Sequence, residues 1–436
     1  MNLDPLRFIR LMRTSLKAVV YLIAFAALPL GVGYVGLRSR LAAYAAPAPV
    51  QPPGRVFPPP PALEPDRPTV AIVLGNTITE VADTLGPYVA FKTAGAFNVA
   101  MVAERRLPVA LSGGLDVVPD FSFAELDARL GRDPDLIIVP NIVNVRDNAA
   151  VRTWVRQHGS GRSLVMSVCA GAEMFAATGL IDGRRATTHW GDIGRIERGY
   201  PAVHWVRGQR YVDDGQFVST AGILSGIDGS LHMIDRLRGR ALALEVGRAL
   251  HYDGARFLDD PTMPQLRPSP RDGIVLLNAA FGWDRANLGV ALEDGMEELS
   301  LAAVYDTYAL SSALFSVASP GAIVTTRHGL HLVARRASQE WSASHGPLLR
   351  IRTGDQRFPF DAALEDIARQ QDVPTAQFAA KRLEYRAAPA LEGRSWWRVA
   401  TLYRPLLLGL SGLALVFGLR RASRSLRPPR TPSASA

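Results

Sequence analysis

The stretch 163–180 constrains the fold of this chain more than any other part of it. It opens with a short apolar run rich in Val and Leu, which is typical of a buried strand. The run of Ala, Met and Phe that follows is bounded by Gly179, and this predicts a helix that ends at a C-terminal glycine. Cys169, the only cysteine in the 436 residues, therefore lies on the predicted turn between strand and helix.

Two roles are open to Cys169. A sharp strand-to-helix turn holds a side chain clear of the sheet and close to a helix N-terminus, where the helix dipole favours a thiolate. In that role Cys169 would react with thiol reagents faster than a typical buried cysteine. The alternative is a small buried hydrophobic residue, because free cysteine is among the most buried residue types.

Short apolar strands alternate with helices on both sides of this turn. The predicted strands are 70–74, 97–103, 136–139 and 215–222, and the predicted helices are 84–94, 151–158 and most of 225–252. Such alternation predicts an α/β fold with a doubly wound parallel sheet. Ligands of such sheets bind at the carboxyl ends of the strands, so we expect Cys169 and Asp83 at one rim.

Two further motifs accompany the cysteine turn. Asp83-Thr-Leu-Gly-Pro87 follows an early apolar strand, and Thr-Thr-His lies within 181–190. Together the three pieces resemble the PfpI/ThiJ superfamily of class I glutamine amidotransferase-like proteins. The resemblance is closest to the amidase-like domain at the front of many AraC-type transcriptional regulators. It covers roughly residues 69–252 and implies a flavodoxin-like sheet with a nucleophile elbow.

The resemblance also implies roles for individual residues. It makes Cys169 the nucleophile, Asp83 the acid that polarises it, and His189 a base or orienting group. The remaining rim positions, expected to bind the ligand, are Gly86, Asn141, Ala170 and Gly171. Two other roles stay open, since Asp83 is a suitable N-cap for a helix starting at Thr84, and His189 can be an ordinary histidine beside Trp190.

Two departures from the family pattern weaken the case for an enzyme. Ala170 stands where protease-like members carry a histidine after the cysteine. The segment 139–142 reads Val-Pro-Asn-Ile where many members have Pro-Gly-Gly, whose N–H groups would stabilise an oxyanion. Peptidase activity is therefore not expected. No metal-spaced cluster or phosphate-binding glycine loop is found, so we expect neither metal nor cofactor.

The first 40 residues contain a candidate membrane anchor. The run 18–37 is apolar and about 20 residues long, the length that a membrane-spanning helix needs. A cleaved signal peptide is the alternative, because Ala43-Tyr44-Ala45 resembles a cleavage site. The length of the run, and Arg38 and Arg40 after it, favour an uncleaved anchor.

A second apolar run, 402–419, lies near the other end of the chain and contains Arg404 and Pro405. A buried helix of a soluble protein is the alternative to a membrane span. The formal charge of +9 lies mostly at the two ends, in residues 1–17 and in the tail 420–436. The positive-inside rule then predicts a bacterial inner-membrane protein with both termini cytoplasmic and the main domain periplasmic. Contact with nucleic acid is not expected.

The remaining segments divide into a spacer and a repeat. Residues 45–68 are rich in proline and predict a semi-rigid linker. Within 272–390, the stretch 292–308 aligns without gaps to 74–90, which indicates a degenerate half-repeat with Leu301 in place of Asp83. The segment 367–378 resembles an AraC-type helix-turn-helix, although an ordinary amphipathic helix pair is favoured.

Three functions remain open. The first is a membrane-anchored sensor or regulatory protein that binds an unknown small ligand at the Cys169 rim. The second is a cysteine-dependent hydrolase, hydratase or amidase-like enzyme acting on a small substrate. The third is an AraC-type transcriptional regulator. Relatives commonly dimerise, so a homodimer is also open.

Overall fold

The computed structural model describes residues 5–49, 54–282, 287–309, 312–319, 323–342, 344–351, 354, 356–385, 388–394 and 399–425. Of the predicted basic ends, residues 1–4 and 426–436 lie outside this set. The chain divides into two compact units. One comprises Met1–Arg40, Gly273–Asp284 and Trp396–Ala436, and the other comprises Leu41–Asp272 and Arg285–Ser395.

The α-helices and strands of the described residues are as follows. The helices are α1 (Pro5–Tyr44), α2 (Val81–Ala94), α3 (Phe123–Leu130), α4 (Ala149–Gly159), α5 (Gly171–Ala176), α6 (Ile193–Gly199), α7 (Ser225–Arg238), α8 (Arg240–Ala249), α9 (Pro270–Phe281), α10 (Glu298–Tyr308), α11 (Pro359–Gln370), α12 (Val373–Arg382) and α13 (Val399–Ser425). The strands are β1 (Thr69–Val73), β2 (Asn98–Ala103), β3 (Val109–Leu111), β4 (Leu115–Val118), β5 (Phe121–Ser122), β6 (Leu136–Val139), β7 (Leu164–Ser167), β8 (Arg185–Ala186), β9 (His204–Trp205), β10 (Tyr211–Asp214), β11 (Phe217–Thr220), β12 (Asn287–Ala291), β13 (Ala313–Ala318), β14 (Ile323–Thr325), β15 (His331–Val333), β16 (Arg336–Ala337) and β17 (Leu348–Arg350).

A seven-stranded sheet carries the predicted doubly wound fold. Its strand order is β10-β11-β7-β6-β1-β2-β5, and every pair is parallel except β10 with β11. Side chains of β1 alternate between two apolar clusters, as the pleat of a strand requires. Val70 and Ile72 pack into the cluster that contains helix α7, while Ala71 and Val73 pack into the cluster that contains α4. Helices therefore cover both faces of the sheet.

The start of α2 differs from the prediction. The sequence predicted a helix from Thr84 and left an N-cap role for Asp83 open, but α2 begins at Val81 and its N-cap is Glu80. The Glu80 carboxylate accepts a hydrogen bond from the Asp83 backbone N–H, as an N-cap side chain does. Asp83 therefore lies in the first turn of the helix.

The second repeat reproduces the local topology of the first. β12, α10 and β13 form a strand–helix–strand unit with parallel strands, like β1, α2 and β2. The two repeats share a four-stranded sheet of order β14-β15-β4-β3, in which β15 and β4 pair antiparallel. Helices α2 and α10 also pack together. The sequence assigned 69–252 and 272–390 to separate domains. Residues 69–252 and 285–390 instead lie in one compact unit, while Gly273–Asp284 belongs to the other unit.

The segment that resembles a helix-turn-helix forms the α11–α12 pair. Asp372, at the position of the turn glycine, caps α12 by accepting from the Thr375 N–H at 2.8 Å. Ile367 and Ala376 face the apolar core and are almost fully buried. This is the ordinary amphipathic helix pair that the sequence favours.

By length and composition, two helical segments are suited to crossing a membrane. They are Thr14–Tyr44 and Thr401–Ser423, with mean hydropathy 2.1 and 1.7. Within their own unit the two helices approach closely at Gly412, where a Cβ atom would lie 2.1 Å from the Ala24 carbonyl oxygen. Only glycine permits such a backbone approach, which is common between membrane helices.

Helix α9 belongs to the same unit, and the sequence did not predict it. Its last turn leaves carbonyl groups without partners inside the helix. Arg404 donates to the Phe281 carbonyl oxygen at 2.7 Å, and Arg40 donates to the Asn278 carbonyl oxygen at 3.3 Å. Positive side chains at this end also interact favourably with the negative end of the helix dipole. Arg404, which interrupts the apolar run, therefore caps a neighbouring helix.

Candidate functional site

The predicted elbow is present at Cys169. Strand β7 ends at Ser167 and α5 begins at Gly171, so Cys169 lies on the turn between them. Its φ of 56° is left-handed, which is uncommon for a residue with a side chain and costs about 1–3 kcal/mol. The surrounding fold must hold the residue in this conformation. A turn of this geometry presents the side chain at the carboxyl end of a central strand.

Gly171 explains why the chain can turn so tightly after the cysteine. A Cβ atom there would lie 2.2 Å from the Val139 carbonyl oxygen and 2.6 Å from that of Pro140. Any other side chain would collide with this backbone. The other side of the turn is held by Thr188, whose hydroxyl donates to the Cys169 carbonyl oxygen at 2.7 Å.

The Cys169 thiol does not have the environment of an activated nucleophile. The residue is 5% exposed. Burial raises the pKa of the Cys169 thiol well above its usual range, and the negative charges of Asp83, Asp192 and Glu80 raise it further. The N–H of Ala170 acts in the opposite direction but is outweighed. This direction opposes the low-pKa thiolate expected from the turn, and it favours the neutral thiol.

Asp83 lies close enough to Cys169 to influence its ionisation. The residue is fully buried, and one carboxylate oxygen accepts the Asn141 N–H at 3.2 Å. The other oxygen, Oδ1, has no hydrogen-bond partner among the described residues. Burial raises the pKa of Asp83 well above its usual range, although the Asn141 N–H lowers it in part. The protonated form of Asp83 can donate a hydrogen bond to a neighbouring group.

Glu80 is a site residue that the sequence reading missed. It is buried, its N–H donates to the Asn141 carbonyl oxygen at 2.8 Å, and its Oε1 lies 3.3 Å from the Ser112 hydroxyl and 3.5 Å from that of Tyr44. Burial raises the pKa of Glu80 well above its usual range, and Asp306 and Asp83 contribute. The sequence could have indicated this role, because Glu80 precedes Asp83 by three residues. That is the spacing between an N-cap residue and the backbone N–H that its side chain accepts from.

The second repeat contributes charged residues to the buried group formed by Cys169, Asp83 and Glu80. Asp306 of α10 is fully buried and pairs with the guanidinium of Arg382 at the end of α12. The field of Arg382 lowers the pKa of Glu80 and of Asp83 in part, while that of Asp306 raises both. No local pattern could have joined these residues to Cys169, because they lie more than a hundred positions away in the sequence.

The hydrogen bonds of His189 are made to groups other than Cys169. Its Nε2 lies 3.1 Å from the Arg382 carbonyl oxygen, and its Nδ1 accepts the Gly191 N–H at 3.3 Å. Because the carbonyl can only accept, the proton is assigned to Nε2. Within the described chain, no hydrogen bond joins His189 to Cys169.

The remaining predicted rim positions differ in what they contact. Asn141 bonds to both Glu80 and Asp83 through its backbone, so it positions the acidic cluster. Ala170 directs its N–H towards the thiol. Gly86 instead faces α7, since a Cβ atom there would lie 3.3 Å from the Ile227 side chain. Its small size therefore serves helix packing.

A cavity of about 290 Å³ lies beside the turn. Its lining includes Thr188, Trp190, Arg207, Arg267 and Glu384. It is the size of a site for a small molecule and lies next to the residue that holds the Cys169 carbonyl. In the described part of the chain, no three His, Cys, Asp or Glu side chains converge as metal ligands.

Comparison with known proteins agrees with this geometry. The model of the DJ-1/PfpI family matches residues 68–235. The isonitrile hydratase of Pseudomonas putida is 30% identical over 192 residues, which are 43% of this chain and 79% of that protein. The HTH-type transcriptional regulator CdhR of Pseudomonas aeruginosa is 29% identical over 145 residues, which are 32% of this chain.

The chain spans 40% of the length of that regulator, whereas it spans 79% of the length of the hydratase. Among solved structures, a THiJ/PfpI family protein from Pseudomonas syringae is similar with 24% identity and a TM-score of 0.39. That similarity covers 48% of this chain and 84% of the other. On the family match and the extent of the hydratase alignment, the chain belongs to the DJ-1/PfpI family.

Proposed function

We propose that this chain is a membrane-anchored DJ-1/PfpI protein that acts as a sensor or regulatory domain for a small ligand. The burial of the Cys169 thiol carries this proposal. A thiol nucleophile must ionise, yet burial and the acidic residues around Cys169 favour the neutral form. A small cavity beside a neutral thiol, lined by both polar and charged side chains, suits reversible binding better than covalent chemistry.

The proposed anchor rests on the two apolar helical segments and the charges beside them. Each has the length and hydropathy of a membrane span. Arginine and lysine are concentrated at the two ends of the chain, so the positive-inside rule assigns both ends to the cytoplasm. The DJ-1/PfpI domain would then be periplasmic in a bacterial inner membrane.

The test combines the chemistry and the location of the thiol. In inverted and right-side-out vesicles, Cys169 is alkylated with a membrane-impermeant maleimide between pH 6 and 10. We expect slow labelling from the periplasmic side and a midpoint above that of a free thiol. Labelling from the cytoplasmic side alone would refute the topology, and a midpoint below pH 7 would refute the non-catalytic proposal.

A thermal-shift screen of small metabolites then searches for a ligand that raises the melting temperature of the protein. A sensor should give a ligand that stabilises both the wild type and Cys169→Ala, because the thiol is not consumed. Stabilisation that disappears in Cys169→Ala, together with product formation by the wild type, would contradict the sensor proposal.

A cysteine-dependent enzyme is the second candidate, and the extent of the hydratase similarity favours it. Asp83 lies close enough to Cys169 for its charge to act on the thiol, and burial favours the neutral form of both groups. In this mechanism the Cys169 sulfur bonds to the substrate carbon, the thiol proton passes to the substrate through the Asp83 carboxyl, and water then releases the product and restores the thiol. The assay is hydration of a simple alkyl isonitrile by the full chain in detergent. Turnover lost in both Cys169→Ala and Asp83→Asn, but kept in the exposed control Asp147→Asn, would establish it.

A transcriptional regulator is the weakest candidate. The similarity to CdhR covers the DJ-1/PfpI part of this chain, and the α11–α12 pair buries the apolar faces of both helices in the core. A helix that reads DNA must present side chains in the major groove. A reporter fused after residue 390 and found in the periplasm would exclude this function.

A further inference from the structure

The end of α12 lies against the segment that follows the Cys169 turn. Here residues 381–384 are called the latch. The Trp190 indole N–H donates to the Lys381 carbonyl oxygen at 3.3 Å, and His189 Nε2 donates to the Arg382 carbonyl oxygen at 3.1 Å. The latch therefore holds His189 of the Thr-Thr-His motif and the neighbouring Trp190 through its backbone.

The other half of the latch holds the start of α7. The Leu224 N–H donates to the Leu383 carbonyl oxygen at 3.2 Å. The Glu384 carboxylate accepts the Gly222 N–H at 2.8 Å and the Ser225 hydroxyl at 3.2 Å. A carboxylate is favoured at this position, because the free N–H groups at the start of a helix carry partial positive charge. The latch thus joins the two chain segments beside the Cys169 turn.

A buried cation anchors the end of the latch. Arg210 is 1% exposed; its Nη1 donates to the Glu384 carbonyl oxygen at 2.6 Å, and its Nε donates to Asp228 at 2.6 Å. Leu383 belongs to the same apolar cluster as Cys169. The latch and the Cys169 turn therefore belong to one buried cluster, in which Cys169 is 5% exposed.

The closed latch is also strained. Glu384 has a φ of 54°, and it is one of four non-glycine residues with positive φ in the described chain, Cys169 being another. Glu384 Oε1 and Arg382 Nε are buried without hydrogen-bond partners among the described residues. Strain and unpaired buried groups raise the free energy of the closed state relative to an open one. Residues held in strained backbone conformations cluster at ligand clamps and switch regions.

We propose that the latch is a lid, and that a ligand reaches Cys169 only when residues 381–384 leave their contacts with the 189–190 and 222–225 segments. This proposal rests on the function proposed above, in which the ligand binds at the Cys169 turn. It assigns a role to the second repeat, which has no cysteine turn of its own but supplies the lid for the first.

The first test measures access to Cys169 in the full chain in detergent. Glu384→Ala removes the carboxylate from Gly222 and Ser225, and we expect it to raise the rate of alkylation by iodoacetamide at least tenfold. Glu245→Ala, an exposed position on α8, is the matched control and should label at the wild-type rate. Equal rates for Glu384→Ala and the wild type would overturn the proposal.

The second test excludes general loosening of the fold. By hydrogen exchange in the wild type, we expect the amides of Gly222 and Leu224 to exchange at least a hundredfold faster than that of Ile234 in the middle of α7. Exchange of all three at one rate would mean that the latch opens only when the whole unit unfolds, and would overturn the proposal. If Glu384→Ala does not fold, Glu384→Gly replaces it, because glycine adopts the required φ without strain.

Neither test needs a ligand, so the latch and the proposed function can fail separately. Faster labelling of Glu384→Ala supports the latch even when no metabolite stabilises the protein. Conversely, a ligand that binds while labelling and exchange show no local opening would support the sensor and overturn the latch.

Discussion

Replacing Gly171 by alanine places a methyl group against fixed backbone. The new Cβ would lie 2.2 Å from the Val139 carbonyl oxygen, whereas ordinary contact begins near 3.4 Å, so the turn must move by about 1 Å. Overpacking of this kind costs about 1–3 kcal/mol. Alanine recovers about 0.5–1 kcal/mol because glycine loses more conformational freedom on folding. We therefore expect a net loss of about 1–2 kcal/mol.

The assay is urea unfolding of the full chain in detergent, followed by the fluorescence of the tryptophans. Gly194→Ala on α6 is the matched control, because the atom nearest to its Cβ is the end of the Arg198 side chain at 3.8 Å. The control should be neutral or slightly stabilising, since alanine is the better helix former. If Gly171→Ala unfolds at the same urea concentration as Gly194→Ala, or at a higher one, the close approach beneath the elbow is not real.

Two further predictions concern buried carboxyl groups. Burial raises the pKa of Asp120 from 3.8 to about 6, despite an opposing hydrogen bond from a backbone N–H. At about 1.4 kcal/mol per pKa unit, this difference in pKa corresponds to about 3 kcal/mol of pH-dependent folding free energy. The stability given by the protonated form is present below pH 4 and is lost as the pH rises through 6. Asp120→Asn should therefore gain stability over the wild type between pH 4 and 7 in urea unfolding, and a difference that does not vary with pH would contradict the assignment. Asp83→Asn removes a negative charge that, after burial, most raises the pKa of Cys169. The pH midpoint of alkylation should fall, and a rise would show instead that a protonated Asp83 stabilises the thiolate.

The sequence predicted the parts of this structure that depend on neighbouring residues. Runs of apolar residues located the strands of the main sheet, and the turn at Cys169 followed from the change from strand to helix pattern. The start of α2 was missed by three residues because Glu80 and Asp83 are both acceptable N-caps, and packing decides between them. Local patterns fix the type of an element better than its ends.

The electrostatics of the site could not be predicted in the same way. Whether Cys169 is activated depends on burial and on the charges of Asp83, Asp192 and Glu80. The pKa values of Asp83 and Glu80 depend in turn on Arg382 and Asp306, which the tertiary fold brings from the far part of the chain. The family resemblance implies a base or orienting role for His189, yet its Nε2 is hydrogen-bonded to the Arg382 carbonyl oxygen of the latch. A motif specifies which residues are present, but long-range contacts decide their protonation.

The internal repeat also bears on the homodimer that the sequence left open. The face of α2 packs against α10, β4 pairs with β15, and the Tyr88 hydroxyl donates to the His328 carbonyl oxygen at 3.0 Å. A second chain cannot use this face while the first chain's own repeat covers it. We therefore expect no dimer through α2.

Lys92, near the end of α2, gives a direct measurement, because the chain contains few lysines that an amine cross-linker could join. Cross-linking of the full chain in detergent, followed by mass spectrometry, should yield no Lys92–Lys92 product between chains. Such a product in a particle of two chains would mean that α10 can leave α2, and the second repeat would then be an exchangeable partner of the first. If particles of two chains yield no such product, the repeat remains a permanent part of the fold. Under that condition the latch that the second repeat carries acts only on the Cys169 turn of its own chain.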